Sequence, residues 1–182
     1  MPQSSTPLPP SDVARRLDQA GMRQVIVQDA DFDPAALQDA LYEACAVQAG
    51  AIATFTGYVR DFAPDRPTAV LHLEHYPGMC ERELAEIGDT ALARWDIAGY
   101  VIAHRYGSLA RNSRIVFVAV ASAHRGEAFL ACEYIMDALK TRAPFWKRES
   151  LTDGTRFWVE QRDADRARTE QWEQDATSLP KP

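Results

Sequence analysis

Short apolar runs alternate with longer amphipathic stretches along the chain, the pattern of strands mixed with helices. Met22–Gln28 (MRQVIVQ) is β-branched and predicts a first strand. Asp33 before Pro34 predicts an N-cap with proline at the first helical position. Leu37, Leu41 and Cys45 then recur four apart, and Gly50 is expected to stop the helix. Ala51–Val59 (AIATFTGYV) predicts a second strand, and Asp61–Thr68 (DFAPDRPT), with two prolines and alternating charge, an exposed, mobile loop.

Ala69–His75 alternates, with Leu71 and Leu73 on one face and His72 and Glu74 on the other. Tyr76-Pro77-Gly78 predicts a turn, Met79–Trp95 an amphipathic helix, and Tyr100–Arg105 and Ile115–Ser122 two more strands. Ile115–Ser122 (IVFVAVAS) is continuously apolar, which predicts a central position in a sheet. Over Gly126–Thr141, Ala128, Cys132, Ile135, Met136 and Leu139 form one helical stripe, and Pro144 ends the helix. Arg156–Glu160 predicts a last short strand and Ala164–Gln174 a polar helix.

This order, with no internal linker or repeat, predicts one α+β domain over 21–163. A Pro- and Ser-rich tail over 1–20, expected to be disordered, precedes it, and a polar helix and tail over 164–182 follow. A chain of 182 residues can bury a core without disulfide or metal staples. The three cysteines are far apart and form no CxxC pair, so neither a zinc site nor a disulfide framework is expected, and a reducing cytoplasm is the simplest location. The N-terminus lacks the apolar core of a signal peptide, and the longest uncharged stretch, Ala44–Val59, is too short and polar to span a membrane.

The net charge of −6 argues against a general nucleic-acid binder. The charge is uneven: His104–Arg148 holds eight Arg/Lys against three acids, a local +5 that leaves −11 to the rest of the chain. Such a basic third in an acidic protein concentrates positive potential for an anion. Only three of the cationic residues are lysines, Lys140, Lys147 and Lys181, and two of them lie seven positions apart around Pro144. Arginine stays charged at all ordinary pH, whereas a lysine exchanges a proton near neutrality when burial or a neighbouring cation lowers its pKa from about 10.4. Arg142 and Arg148 are such neighbours in sequence. Phe145 and Trp146 between them offer either packing for the helix end or an aromatic wall for a planar ligand. His124-Arg125 sits at a strand-to-helix junction, a natural anion site, where Ser122 or His124 is expected to cap the helix. Arg60, after the strand TFTGYV, suits phosphate or carboxylate recognition through its planar fork. No P-loop, GxGxxG or GxSxG motif is present, and His72 and His75 are poorly spaced to share a metal, so neither metal nor cofactor is expected.

The segments TFTGYVRDF, LEHYPGM, IAHRYGSL and IVFVAVASAHRGEAFLACEYIMDALKTRAPFWKRE, followed by RFWVE, closely resemble the large, catalytic subunit of molybdopterin synthase, in order from about Val25 to Arg162. The resemblance implies an α/β hammerhead fold, with a mixed sheet and flanking helices, and a sulfurtransferase of molybdenum cofactor biosynthesis. It implies conversion of cyclic pyranopterin monophosphate to molybdopterin. The implied sulfur donor is the thiocarboxylated Gly-Gly terminus of a small ubiquitin-like subunit. The implied assembly is a heterotetramer, a homodimer of large subunits with a small subunit at each end. Carried over position by position, the resemblance makes Lys140 and Lys147 the catalytic lysines. It assigns Tyr58, Val59, Arg60, His124, Arg125, Lys140, Lys147, Arg148 and Glu149 to the substrate pocket. Two competing readings are an RNA- or anion-binding module built on KTRAPFWKR and a degenerate relative without catalysis. The acidic net charge argues against the first, and the presence of both lysines, Arg60 and His124-Arg125 against the second.

Overall fold

The structure, a computed structural model, describes residues 21–60, 68–158 and 163–177. The expected tail over 1–20, the expected loop over 61–67, residues 159 and 160 of the last predicted strand, and the chain end after 177 lie outside them. The first sheet contains β1 (Met22–Gln28), β2 (Ala51–Tyr58), β4 (Ile97–Arg105) and β6 (Arg114–Ser122), in the order β1-β4-β6-β2. β1 runs parallel to β4, and β6 is antiparallel to both its neighbours, so the sheet is mixed. The second sheet is antiparallel, in the order β5-β3-β7-β8: β3 (Thr68–Glu74), β5 (Gly107–Ala110), β7 (Trp146–Leu151) and β8 (Arg156–Trp158). Thr68, assigned from sequence to the loop, is the first residue of β3.

Helices cover both faces of the first sheet. α1 (Pro34–Cys45) packs Leu41 and Cys45 against Val101, Ala103, Phe117, Ala119 and Ala121. On the other face α2 (Met79–Arg94) and α3 (Arg125–Arg142) cover Tyr100, Ile102, Val116, Val118 and Val120. Successive residues of β4 and β6 therefore face different helices and are apolar on both sides, which is why the run Ile115–Ser122 carries no alternation. α1 begins as the sequence predicts: the Asp33 carboxylate accepts from the Ala35 N–H at 2.9 Å and Pro34 follows. The helix ends at Cys45, before Gly50, because a turn over 46–48 intervenes.

α2 approaches β4 closely at Gly88. A Cβ there would lie 2.2 Å from the Tyr100 ring, whose hydroxyl donates to Asp89 at 3.0 Å. Tyr100 is 1% exposed and the ring has nowhere to move. Gly88→Ala is therefore expected to destabilise the chain by about 1–3 kcal/mol or more, the cost of overpacking, read from the midpoint of denaturant unfolding.

α4 (Asp163–Thr177) packs along α3. Trp172 sets its edge against Trp95 and Tyr134 and donates to the buried Asp137 carboxylate at 3.0 Å. Arg94 lies 5.0 Å from the Trp95 and Tyr134 rings and donates to the Trp172 carbonyl. Among the described residues, no helix is long and apolar enough to cross a membrane.

Candidate active site

The two sheets and the C-terminal end of α3 enclose a cavity of about 520 Å³. α3 supplies Met136, Leu139, Lys140 and Ala143 beyond its end, spaced i, i+3, i+4 and i+7 on one face. The stripe that builds the core further back along the helix becomes the cavity wall here. Ala143 is extended (φ −64°, ψ 124°) because Pro144 follows it, so the helix stops and the chain turns directly into β7. That turn brings Lys147 back to the cavity that Lys140 already lines.

On β7, Lys147 and Glu149 pair with Leu73 and Leu71 of β3 and share their inner face. Lys147 lines the cavity. Glu149 is 1% exposed and lies two residues along, about 7 Å away at the rise of a strand. Arg148 points to the opposite face, with its guanidinium 5.5 Å over Trp158. Arg142 is held by Glu83 of α2 at 2.7 Å. Neither arginine that adjoins the lysines in sequence joins them in the cavity; the cation that does is Arg60.

β2 brings Tyr58 and Arg60 to the mouth of the cavity. The register shifts between Gly57 and Tyr58, a bulge that re-aims the strand end. Gly57 itself lines the cavity, and a Cβ there would meet Val116 at 2.7 Å, so a side chain would push the wall out of place. Val59 is 1% exposed and packs with Leu71, Leu73 and Leu109, while its N–H donates to the Ser113 carbonyl at 2.9 Å. It anchors the residues on either side of it rather than facing the cavity.

His124 and Arg125 lie at the far end of α3, exposed. His124 occupies the N-cap position with no side-chain cap, and the Ser122 hydroxyl instead accepts from the His124 N–H at 3.2 Å. Neither side chain therefore caps the first turn; the Ser122 hydroxyl holds the backbone of the N-cap residue itself. Fifteen residues of helix separate Arg125 from Lys140, about 22 Å at 1.5 Å per residue. Of the nine residues expected in the pocket, one chain brings together Tyr58, Arg60, Lys140 and Lys147.

Two further titratable groups line the cavity. Asp165 of α4 lines it and accepts from the Lys140 ammonium at 3.1 Å. His104, the last-but-one residue of β4, is 7% exposed and stacks on Phe145 with ring centroids 3.9 Å apart. Burial pushes the imidazole down to about 4, and the Lys147 ammonium opposes a second positive charge beside it. The ring is neutral at neutral pH. The sequence marks neither residue: Asp165 lies in a mostly polar helix, and His104 near the end of a mostly apolar strand.

Comparison with known proteins fits this arrangement. Residues 27–142 match the model of the MoaE protein family. The chain is 48% identical to the molybdopterin synthase catalytic subunit of Vibrio cholerae over 150 residues, covering 82% of this chain and 98% of that one. It is 51% identical to the Escherichia coli catalytic subunit over 123 residues, 68% of this chain and 81% of the relative. The fold superposes on a MoaE protein from Burkholderia ambifaria with a TM-score of 0.71 at 43% identity, covering 84% of this chain and 99% of that chain. A molybdopterin synthase structure from Staphylococcus aureus gives a TM-score of 0.61 at 29% identity, over 75% and 96% of the two chains. A cavity walled by two lysines, reached through the same segments that carry the sequence likeness, thus sits in a chain that belongs to the MoaE family of molybdopterin synthase catalytic subunits.

Proposed function

We propose that Lys140 and Lys147 carry out sulfur transfer from the thiocarboxylated terminus of a small ubiquitin-like partner to cyclic pyranopterin monophosphate, forming the dithiolene of molybdopterin. The observation that carries this reading is the convergence of both lysines with Arg60 on one cavity. Substrate and donor are both anions, and the cavity concentrates cations in a protein that is acidic overall.

The two lysines differ in position. Lys140 stands at the rim, its side chain 46% exposed and held by the Asp165 carboxylate. An incoming thiocarboxylate has the same charge and planar shape as that carboxylate, which makes Lys140 the group that meets the partner's glycine. There it stabilises charge on the acyl oxygen and moves the proton as the acyl group departs. Lys147 lies deeper, beside His104 and Phe145, and serves the substrate. Arg60 holds the cyclic phosphate through its planar fork.

His124 and Arg125 reach a substrate only in another copy of the chain, because about 22 Å of helix keeps them from their own Lys140. A homodimer in which each protomer lends this pair to its neighbour supplies both of these contacts. β2 is an edge strand with Phe55 42% and Tyr58 53% exposed, a surface suited to such pairing. One small subunit per cavity then gives a heterotetramer.

The reading is tested with purified chain, thiocarboxylated partner and substrate. Arg60→Ala is expected to raise the substrate KM by about tenfold or more while leaving partner affinity within about twofold, as loss of a charge-assisted contact predicts. An unchanged substrate KM would remove Arg60 from the site.

A further inference from the structure

We infer that His104 is a positioning residue of the sulfur-transfer site: in the loaded site its Nε2 accepts a hydrogen bond from the Lys147 ammonium and fixes where that charge sits in the cavity. The inference rests on the assignment of Lys147 to the reaction.

The geometry of the ring leaves one atom for this role. Nδ1 lies 2.8 Å from the carbonyl of Arg105, and a carbonyl only accepts, so Nδ1 carries the proton. A neutral ring then has a lone pair on Nε2. The ring is clamped: Phe145 stacks on it at an interplanar angle of 11°, and the residue is 7% exposed. Yet His104 lines the cavity. A neutral imidazole fixed on one edge by the backbone and on one face by an aromatic ring presents its other edge as a preorganised acceptor. Among the described residues, the charged groups that line the same cavity are Lys147 from β7, Lys140 from α3, Asp165 from α4 and Arg60 after β2. Of these, Lys147 is the one placed beside His104: Phe145 stacks on the ring, and Lys147 lines the same cavity two residues further along the chain.

His104 also links the halves of the site. It belongs to β4 in the first sheet, whereas Phe145 and Lys147 lie at and just before β7 in the second. Lysine has four rotatable carbons, and an acceptor at the cavity wall removes much of that freedom before substrate arrives.

The test compares three variants in the single-turnover reaction of the full chain with thiocarboxylated partner and substrate. His104→Phe keeps the ring and its stacking but has no acceptor. His104→Asn keeps an amide N–H near Nδ1 for the Arg105 carbonyl but stops short of the cavity. His104→Gln carries an amide oxygen to about the place of Nε2. Phe and Asn are expected to lower the rate constant by about 10- to 100-fold with the substrate KM within about threefold, and Gln to recover most of the loss. Should Phe fail to fold, the Asn and Gln pair makes the same comparison. Full activity in Asn or Phe, or a loss that Gln does not repair, would overturn the role of Nε2. Lys147→Ala in the same assay separates the two claims. If it is inactive while His104→Asn is normal, only the positioning role is lost; if it is itself fully active, the assignment of Lys147 fails.

Discussion

Lys147→Ala is expected to lower dithiolene formation by about 10²–10⁴-fold, and Lys140→Ala by a comparable factor, the range that a positioned proton donor or oxyanion partner supplies. The two losses should differ in kind. Lys140 stands at the rim against Asp165, where an incoming glycine terminus first meets the chain. Its removal is expected to weaken use of the thiocarboxylated partner, so that a high partner concentration restores part of the rate. Lys147 lies inside, beside the neutral His104, and no concentration of partner replaces it. Both variants should fold. Lys140 is half exposed, and Lys147 is partly buried at the wall of the cavity, so truncating either removes little packed apolar surface. Steady-state titration of partner and substrate separates the two effects. A rate within threefold of wild type for either variant would remove that lysine from the chemistry.

Mixing two inactive proteins is expected to restore activity. In the proposed dimer each site takes Lys140 and Lys147 from one protomer and His124 and Arg125 from the other. Lys147→Ala and the double variant His124→Ala/Arg125→Ala are then each inactive as homodimers. A heterodimer of the two has one site with both defects and one site with none. Random reassortment makes half the dimers heterodimers, so about a quarter of the sites recover, the ceiling set by two-fold symmetry. The physical basis is the length of α3, which no side chain spans. Absence of recovery after demonstrated subunit exchange would place His124 and Arg125 outside the neighbour's site.

Much of the fold is legible in the sequence because burial writes a pattern. β4 and β6 are apolar on both faces since α1 covers one and α2 and α3 the other. The stripe on α3 and the Asp33-Pro34 start of α1 follow from helix geometry and from orphan backbone groups. The second sheet is harder to read. Of β7, WKRESL, the inner face holds Lys147, Glu149 and Leu151, so two of three inward positions are charged, and of these Lys147 lines the cavity. The usual alternation is thereby disguised, and the strand escapes a reading based on hydrophobicity. β5 buries only Leu109 and is too short to announce itself.

The site was legible to a different degree. The scarcity of lysine and its concentration around Pro144 single out the two residues that meet in the cavity. Sequence neighbours of the lysines are not their neighbours in the cavity, since strand alternation turns Arg148 away from Lys147 and Arg142 is drawn to Glu83. Adjacency in a strand puts side chains on opposite faces. His104 and Asp165 come from segments distant in sequence and carry no local signal; only the folding of β4 and α4 against α3 and β7 reveals them.

The most direct measurement is a sulfur balance in a single turnover of purified chain, thiocarboxylated small subunit and cyclic pyranopterin monophosphate, following intact-mass loss of the thiocarboxylate alongside dithiolene formed. Two thiocarboxylates converted to carboxylates per dithiolene, with neither change when Lys140 and Lys147 are both replaced by alanine, is the expected result. Dithiolene formed at the wild-type rate by that double variant would contradict it.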